Sequence, residues 1–308
     1  MQAKPGEPGA FVSEAAREKF LAAYDQAFTL WPRPRDEFDI ETEFATTHVH
    51  RYGPRDGEPV VLLSGAGFNA SNWYAAAAVL GAEHYQVFGV DTPGDPNRSV
   101  ARAPITPPDT MASWLGQVLA AIGDRPAHLV GVSYGGWIAL NQALRDAGRV
   151  ASVTAIDSAG LQEITWRFWV WLTVNGLAAL TPQFLRKRLA VAMGSPFMAV
   201  PEMMAVMWAG NRSYRMEPKF PAIFTDDELA SITVPVLLVS GSRSTLIRPE
   251  RTRECASLLS HGEAVIVGGS HGGFDDEDAL NELIKAFLAT VSAPRTRAGS
   301  PPERPTGA

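Results

Sequence analysis

The chain has 308 residues, 46% of them hydrophobic and 19% charged, a globular composition with length enough for a sizeable core. A formal charge of −6 leaves no basic excess for a nucleic-acid or anionic-membrane surface, and the single cysteine, Cys255, excludes an intramolecular disulfide and a cysteine-rich metal site. The N-terminal residues lack the apolar core of a signal peptide, and the longest apolar stretch, Phe168 to Leu180, is too short to span a bilayer, so a cytoplasmic protein without a membrane partner is expected.

Residues 1–10 and 293–308 are rich in Pro, Gly and Ala without apolar periodicity, and read as disordered tails around one domain over 11–292. Phe11 to Leu30 reads as a helix, with Phe20, Tyr24 and Phe28 on one face. The segment THVHR that follows reads as an edge strand with His48 and His50 on one face. Two imidazoles offer metal ligands, but no third ligand stands beside them, so they are taken as solvent-exposed and no metal is expected. Buried strands are expected at Val60–Ser64, Gln86–Asp91, Ala127–Val132, Ser152–Asp157, Pro235–Ser240 and Ala264–Val267. Helices are expected at Thr110–Ile122, after Ser133, and at Asp278–Thr290. This alternation is that of a mostly parallel central sheet flanked by helices.

From Leu161 to Thr225 the alternation stops. This segment shows no clear strand and holds six of the eight Met and four of the eight Trp. It reads as a helical insertion at about 161–225, either packed on the sheet or serving as a lid over an apolar pocket. Trp166, Trp169, Met204 and Trp208 are its candidate substrate-binding residues.

Gly131-Val132-Ser133-Tyr134-Gly135 fits G-x-S-x-G between a strand and a helix. A serine hydroxyl must project towards a base to act as a nucleophile, and a tight strand-to-helix turn projects it, glycines relieving the crowding. The helix that starts there directs N–H groups and its positive dipole end at the same point. Gly268-Gly269-Ser270-His271-Gly272 matches the same expression without a helix behind it, so context selects Ser133. His271, in a loop after the last strand, is the candidate base.

A rival motif is Gly65-Ala66-Gly67-Phe68-Asn69-Ala70, which follows a strand and has Asp91 about 20 residues downstream, as a dinucleotide-binding fingerprint would. That reading leaves Ser133 and His271 without roles, so no cofactor is expected. The same loop suits another use, in which backbone N–H groups face an oxyanion together with the N–H of Tyr134.

With elbow, glycine loop and late histidine in this order, residues 11 to 290 resemble the α/β-hydrolase family, and within it the bacterial carboxylesterase branch that includes naproxen-esterase-like enzymes. The resemblance is carried by AYDQAFTLWPRPRDEFDIETEF, VLLSGAGFNASNWY, GVDTPGDPNRSV, GVSYGGWIALNQAL and FTDDELASITVPVLLVSG. It implies the α/β-hydrolase fold, with Ser133 as nucleophile, His271 as base, and the amides of Ala66 and Tyr134 as oxyanion donors.

One departure matters. Family members carry an acid three positions beyond the glycine after the strand at 235–240; here that position is Ser244, and Ser64 replaces the usual histidine before Gly65. Loss of the orienting carboxylate can cost about 10⁴ in rate. Asp157, ending its strand, can supply it from the neighbouring strand, whereas Asp275 and Asp276 read as caps of the last helix. Alternatively Ser133 and His271 form a dyad for elimination or cyclisation in a biosynthetic pathway, or the fold survives as a non-catalytic ligand-binding relative. The leading expectation is a cofactor-free serine hydrolase acting on an ester of a small or medium apolar compound. The oligomeric state is not legible.

Overall fold

The computed structural model describes residues 9–216, 219, 221–271 and 273–292; residues 1–8 and 293–308, expected as tails, lie outside it. Ordered pairing begins inside the expected N-terminal tail: Ala10–Phe11 (β1) lie antiparallel to Tyr214–Arg215, and the Gly9 amide donates to the Arg215 carbonyl. Glu14–Ala27 (α1) starts where Ser13 accepts the Ala16 amide, a side-chain cap for an otherwise orphaned donor. Phe20, Tyr24 and Ala27 face inwards, as their spacing requires.

Asp36–Glu41 (β2) and Ala45–Tyr52 (β3) form a hairpin, followed by Glu58–Leu63 (β4), Tyr74–Gly81 (α2), Tyr85–Val90 (β5), Val100–Ala101 (β6) and Pro108–Ile122 (α3). Next come Ala127–Val132 (β7), Tyr134–Arg145 (α4) and Val150–Ile156 (β8), then the insertion helices Trp166–Ala179 (α5), Gln183–Met193 (α6) and Pro201–Ser213 (α7). The insertion ends in Tyr214–Arg215 (β9), a strand of two residues where none was expected. Asp226–Ala230 (α8), Val236–Gly241 (β10), Pro249–Leu258 (α9), Gly262–Val267 (β11) and Glu277–Ser292 (α10) complete the main elements.

The main sheet runs β11-β10-β8-β7-β4-β5-β3-β2, with β6 paired to β3. From β11 to β5 all neighbours are parallel; β3 and β2 are antiparallel additions. Side chains alternate between two faces. Val61, Leu63, Leu129, Val153 and Leu238 pack with Trp114 of α3 and Ile138 of α4. Val60, Leu62, Val130 and Val239 pack with Phe20 of α1, Leu80 of α2 and Ile284 of α10. Strands covered on both faces read as unbroken apolar runs, which is why their sequence signal was strong.

Two expectations about the THVHR segment are corrected. The strand at the edge is β2, whereas β3 is paired on both sides. His48 and His50 are 8% and 0% exposed: Tyr24 of α1 and Phe28 just after it pack against the His50 ring, which His48 meets edge-on. A period-2 polar pattern resembles a wet edge when the covering helix is distant in sequence.

Helices α5 to α7 carry a small core of their own, with Ala178, Ala190, Met198 and Met204, while Met203 and Val206 of α7 join the main core beside Phe20 of α1. Among the described residues, no helix is long and apolar enough to cross a membrane. Parallel strands place all their carboxyl ends along one side of the sheet, and the loops after β4, β7, β8 and β11 meet there.

Candidate active site

Ser133 joins β7 to α4 with φ 55° and ψ −114°; among the described residues only Asp157 (φ 45°) shares a positive φ without being glycine. Such a backbone costs about 1–3 kcal/mol and persists only when its surroundings hold it. Here the Ser133 amide donates to the Ile156 carbonyl (2.9 Å), and the Ser133 carbonyl accepts from Trp137 (3.2 Å) and Ala159 (3.0 Å). The flanking glycines are sterically required. A Cβ at Gly131 would lie 2.2 Å from the Gly135 carbonyl oxygen, and one at Gly135 would lie 2.1 Å from that of Leu63.

His271 lies 3.2 Å from Ser133, Nε2 to Oγ, and 3.1 Å from Asp157, Nδ1 to Oδ2. The other Asp157 oxygen accepts the Gly241 amide at 3.1 Å, and the residue is 1% exposed. A carboxylate only accepts, so His271 Nδ1–H donates to Asp157 and the Nε2 lone pair is left for the Ser133 hydroxyl. Ser133, His271 and Asp157 are therefore brought together across three strand ends.

The other acids are occupied elsewhere. Asp275 makes a two-point ion pair with Arg243 that lowers its carboxyl pKa, and Asp276 accepts the Ala279 amide at the start of α10. Ser244, at the family's acid position, is buried and its Oγ accepts the Leu246 and Ile247 amides, a turn-capping role.

The loop after β4 lies against Ser133: a Cβ added to Gly65 would stand 3.4 Å from the Ser133 Cβ. Gly65 to Phe68 form a turn closed by the Phe68 amide on the Gly65 carbonyl (3.1 Å), with Gly67 at φ +80° and Ala66 at the bend. Tyr134 is the first residue of α4, so its amide has no partner within the helix. The loop that carries Ala66 thus lies against Ser133 at Gly65, and Tyr134 follows Ser133 directly in the chain.

Sequence reasoning missed what holds this loop. Asp95 accepts the Gly67 amide at 2.9 Å and forms a buried ion pair with Lys219, whose ammonium lies 5.0 Å from the centre of the Tyr134 ring. Burial pushes the Tyr134 phenol well up, so it stays neutral beside that pair. The Pro-Gly-Asp-Pro turn around Asp95 was the available signal.

Asp91, the acid of the rival fingerprint, is fully buried and accepts from the Ala70 amide (3.0 Å), the Tyr24 hydroxyl (2.7 Å) and the Arg98 amide (3.1 Å). It ties three segments together and does not face a ribose site.

The four insertion residues fall differently from the two rings that reach the site. Trp166 is 72% exposed and lines an outward groove of about 780 Å³ with Leu161, Gln162, Ser244 and Arg248. Trp169 is half exposed, Met204 is buried in the insertion's own core, and Trp208 packs on that core beneath Arg212. The rings that flank His271 edge-on, each with its centroid 5.4 Å away, are Phe168 and Trp171. Because α5 is apolar nearly all round, its periodicity does not mark the inward face.

Residues 60–283 match the alpha/beta hydrolase family. The chain is 30% identical over 280 residues to carboxylesterase YbfK of Bacillus subtilis, covering 88% of this chain and 93% of the relative. The crystal structure of carboxylesterase CesB (YbfK) from Bacillus subtilis superposes with a TM-score of 0.76 at 27% identity, over 90% of this chain and 99% of that one. Naproxen esterase (carboxylesterase NP) from the same organism gives the same TM-score and identity, over 88% and 97% of the two chains.

Proposed function

The chain belongs to the alpha/beta hydrolase family, and on that premise we propose that it is a cofactor-free carboxylesterase acting on an ester of a small or medium apolar compound. The observation that carries the proposal is the run of contacts from Asp157 through His271 to Ser133, at 3.1 and 3.2 Å. The relatives named as carboxylesterases support the same reaction class. With a carboxylate in contact with His271, the missing acid at Ser244 no longer argues for a lyase, a cyclase or a non-catalytic binding protein.

In the proposed reaction Ser133 Oγ attacks the ester carbonyl while His271 Nε2 takes its proton. Asp157 holds the imidazole and offsets its developing charge. The Ala66 and Tyr134 amides stabilise the oxyanion, aided by the positive end of α4. His271 returns the proton to the departing alkoxide, leaving an acyl-Ser133, which a water deprotonated by His271 then hydrolyses. Phe168 and Trp171, beside His271, favour an apolar substrate.

Release of p-nitrophenol from short acyl esters tests the reading. Ser133→Ala is expected to lower turnover by about 10⁴-fold or more. Equal rates for the two proteins would overturn it.

A further inference from the structure

A second cluster of chemistry-bearing side chains sits on the β2–β3 hairpin, with β4 and β5 between it and the Ser133 strand. In that antiparallel pair Glu37 lies opposite His50 and Asp39 opposite His48, so all four side chains share one face. His48 and His50 are both more than nine-tenths buried. The third residue that sequence reasoning did not find is Glu37, brought in by strand pairing from outside the THVHR segment.

The hydrogen bonds around the two imidazoles fix where their lone pairs point. His48 Nδ1 lies 2.6 Å from the Asp39 carboxylate, which only accepts, so Nδ1 carries a proton and in the neutral ring the lone pair is on Nε2. The Tyr24 hydroxyl spends its proton on Asp91 at 2.7 Å; its oxygen therefore accepts from His50 Nε2, also at 2.7 Å, leaving the His50 lone pair on Nδ1. These two nitrogens, His48 Nε2 and His50 Nδ1, are buried without a hydrogen-bond partner. They face the same carboxylate: His48 Nε2 is 3.7 Å from Glu37 Oε2, and His50 Nδ1 is 3.9 Å from Glu37 Oε1. With both rings neutral, three sets of lone pairs converge with no donor among these three residues, while Arg35 donates to Glu37 Oε1 from outside the cluster. A buried imidazole nitrogen costs free energy when left unpaired, and two facing a carboxylate cost more.

We propose that Glu37, His48 and His50 form a binding site for a divalent transition-metal cation of the zinc class, separate from the Ser133 site. The ligand set, two imidazoles and one carboxylate, suits borderline cations. One ligand atom from each residue lies within 4.8 Å of the others, and a tetrahedral ion with bonds of about 2.1 Å holds its ligands about 3.4 Å apart, so a small inward movement closes the site. Asp39 and Tyr24 supply the outer hydrogen bonds that fix ligand tautomers at metal sites. The side chain of Glu37 is 40% exposed, which gives the ion a path from solvent and a place for a water ligand.

Charge around the cluster is balanced. Arg35 donates to Glu37 Oε1 at 3.0 Å and to the Phe28 carbonyl, which positions the carboxylate and leaves Oε2 towards His48. Arg98 is paired with Asp25. Glu37, Asp39 and Asp91 offset the guanidiniums, and a cation on the cluster would clamp the β2–β3 hairpin beside α1.

The test uses untagged full-length protein stripped with a chelator and titrated with Co²⁺, read by visible absorption. The expected result is one saturable equivalent, displaced by Zn²⁺, together with a Zn²⁺-dependent rise in thermal midpoint. Glu37→Gln, at an exposed position, is expected to weaken Co²⁺ binding at least tenfold while ester turnover stays at the wild-type rate with and without metal. Asp39→Asn, which removes no ligand, is expected to weaken it about tenfold through His48. Should either variant fold poorly, nitrogen-15 NMR of the wild-type imidazoles gives a second reading: protons on His48 Nδ1 and His50 Nε2 are expected, and the reverse tautomers overturn the proposal. Absence of saturable binding at millimolar Co²⁺, or equal affinity in wild type and both variants, also overturns it.

Discussion

Asp157 does two jobs with one carboxylate. Its Oδ2 contacts His271 and its Oδ1 takes the Gly241 amide from the strand next door, while its own amide donates to Val239. This side chain is locked by neighbours on β10, whose following loop would have carried the acid at position 244. Ser244 meanwhile spends its hydroxyl on two amides of its own turn. The carboxylate in contact with the imidazole thus comes from the neighbouring strand end. Asp157→Asn is expected to lower kcat/KM for p-nitrophenyl esters by about 10⁴, because the amide can hold the wrong tautomer. A loss of less than about tenfold would mean that Ser133 and His271 work as a dyad.

At the scale of elements, the elbow and the first insertion helix matter most. The turn between β7 and α4 brings helix backbone onto strand backbone, and Gly135 lies where a methyl group would meet the Leu63 carbonyl at 2.1 Å. Backbone cannot swing aside as a flexible side chain can. Gly135→Ala is expected to destabilise the fold by about 3 kcal/mol and to misplace Ser133, measured as a lower denaturant midpoint with reduced turnover. An unchanged midpoint would contradict the packing argument. Helix α5 contributes Phe168 and Trp171 beside His271 while much of its remaining apolar surface is exposed. Trp171→Ala is accordingly expected to cost about tenfold in kcat/KM for a butyryl ester, by loosening the imidazole, with little change in thermal midpoint. A large loss of stability with unchanged kinetics would assign Trp171 to packing alone.

Among the described residues two layers of helices cover one main sheet, and the single cysteine reports on its integrity. Cys255 of α9 is fully buried, and burial pushes its thiol up to about 11. The folded protein is expected to resist an aromatic disulfide reagent at neutral pH, and to consume one equivalent once unfolded in denaturant. Rapid reaction of the native protein would show that α9 opens readily. At the same scale, the sequence by itself determined the sheet and the elbow, and singled out Ser133 and His271 as candidates. Buried parallel strands and a glycine-flanked turn are written in short runs of adjacent residues, where steric demands and burial act locally. What only the tertiary structure decided are pairings between distant segments. Asp157 and His271 stand 114 residues apart, and the sequence left Asp157 open against a dyad without an acid until the loops met. The burial of His48 and His50 depended on α1, and Glu37 joined them only through strand register. Which ring of α5 reaches the imidazole was equally undetermined, since a helix apolar on every side leaves its orientation to what it packs against.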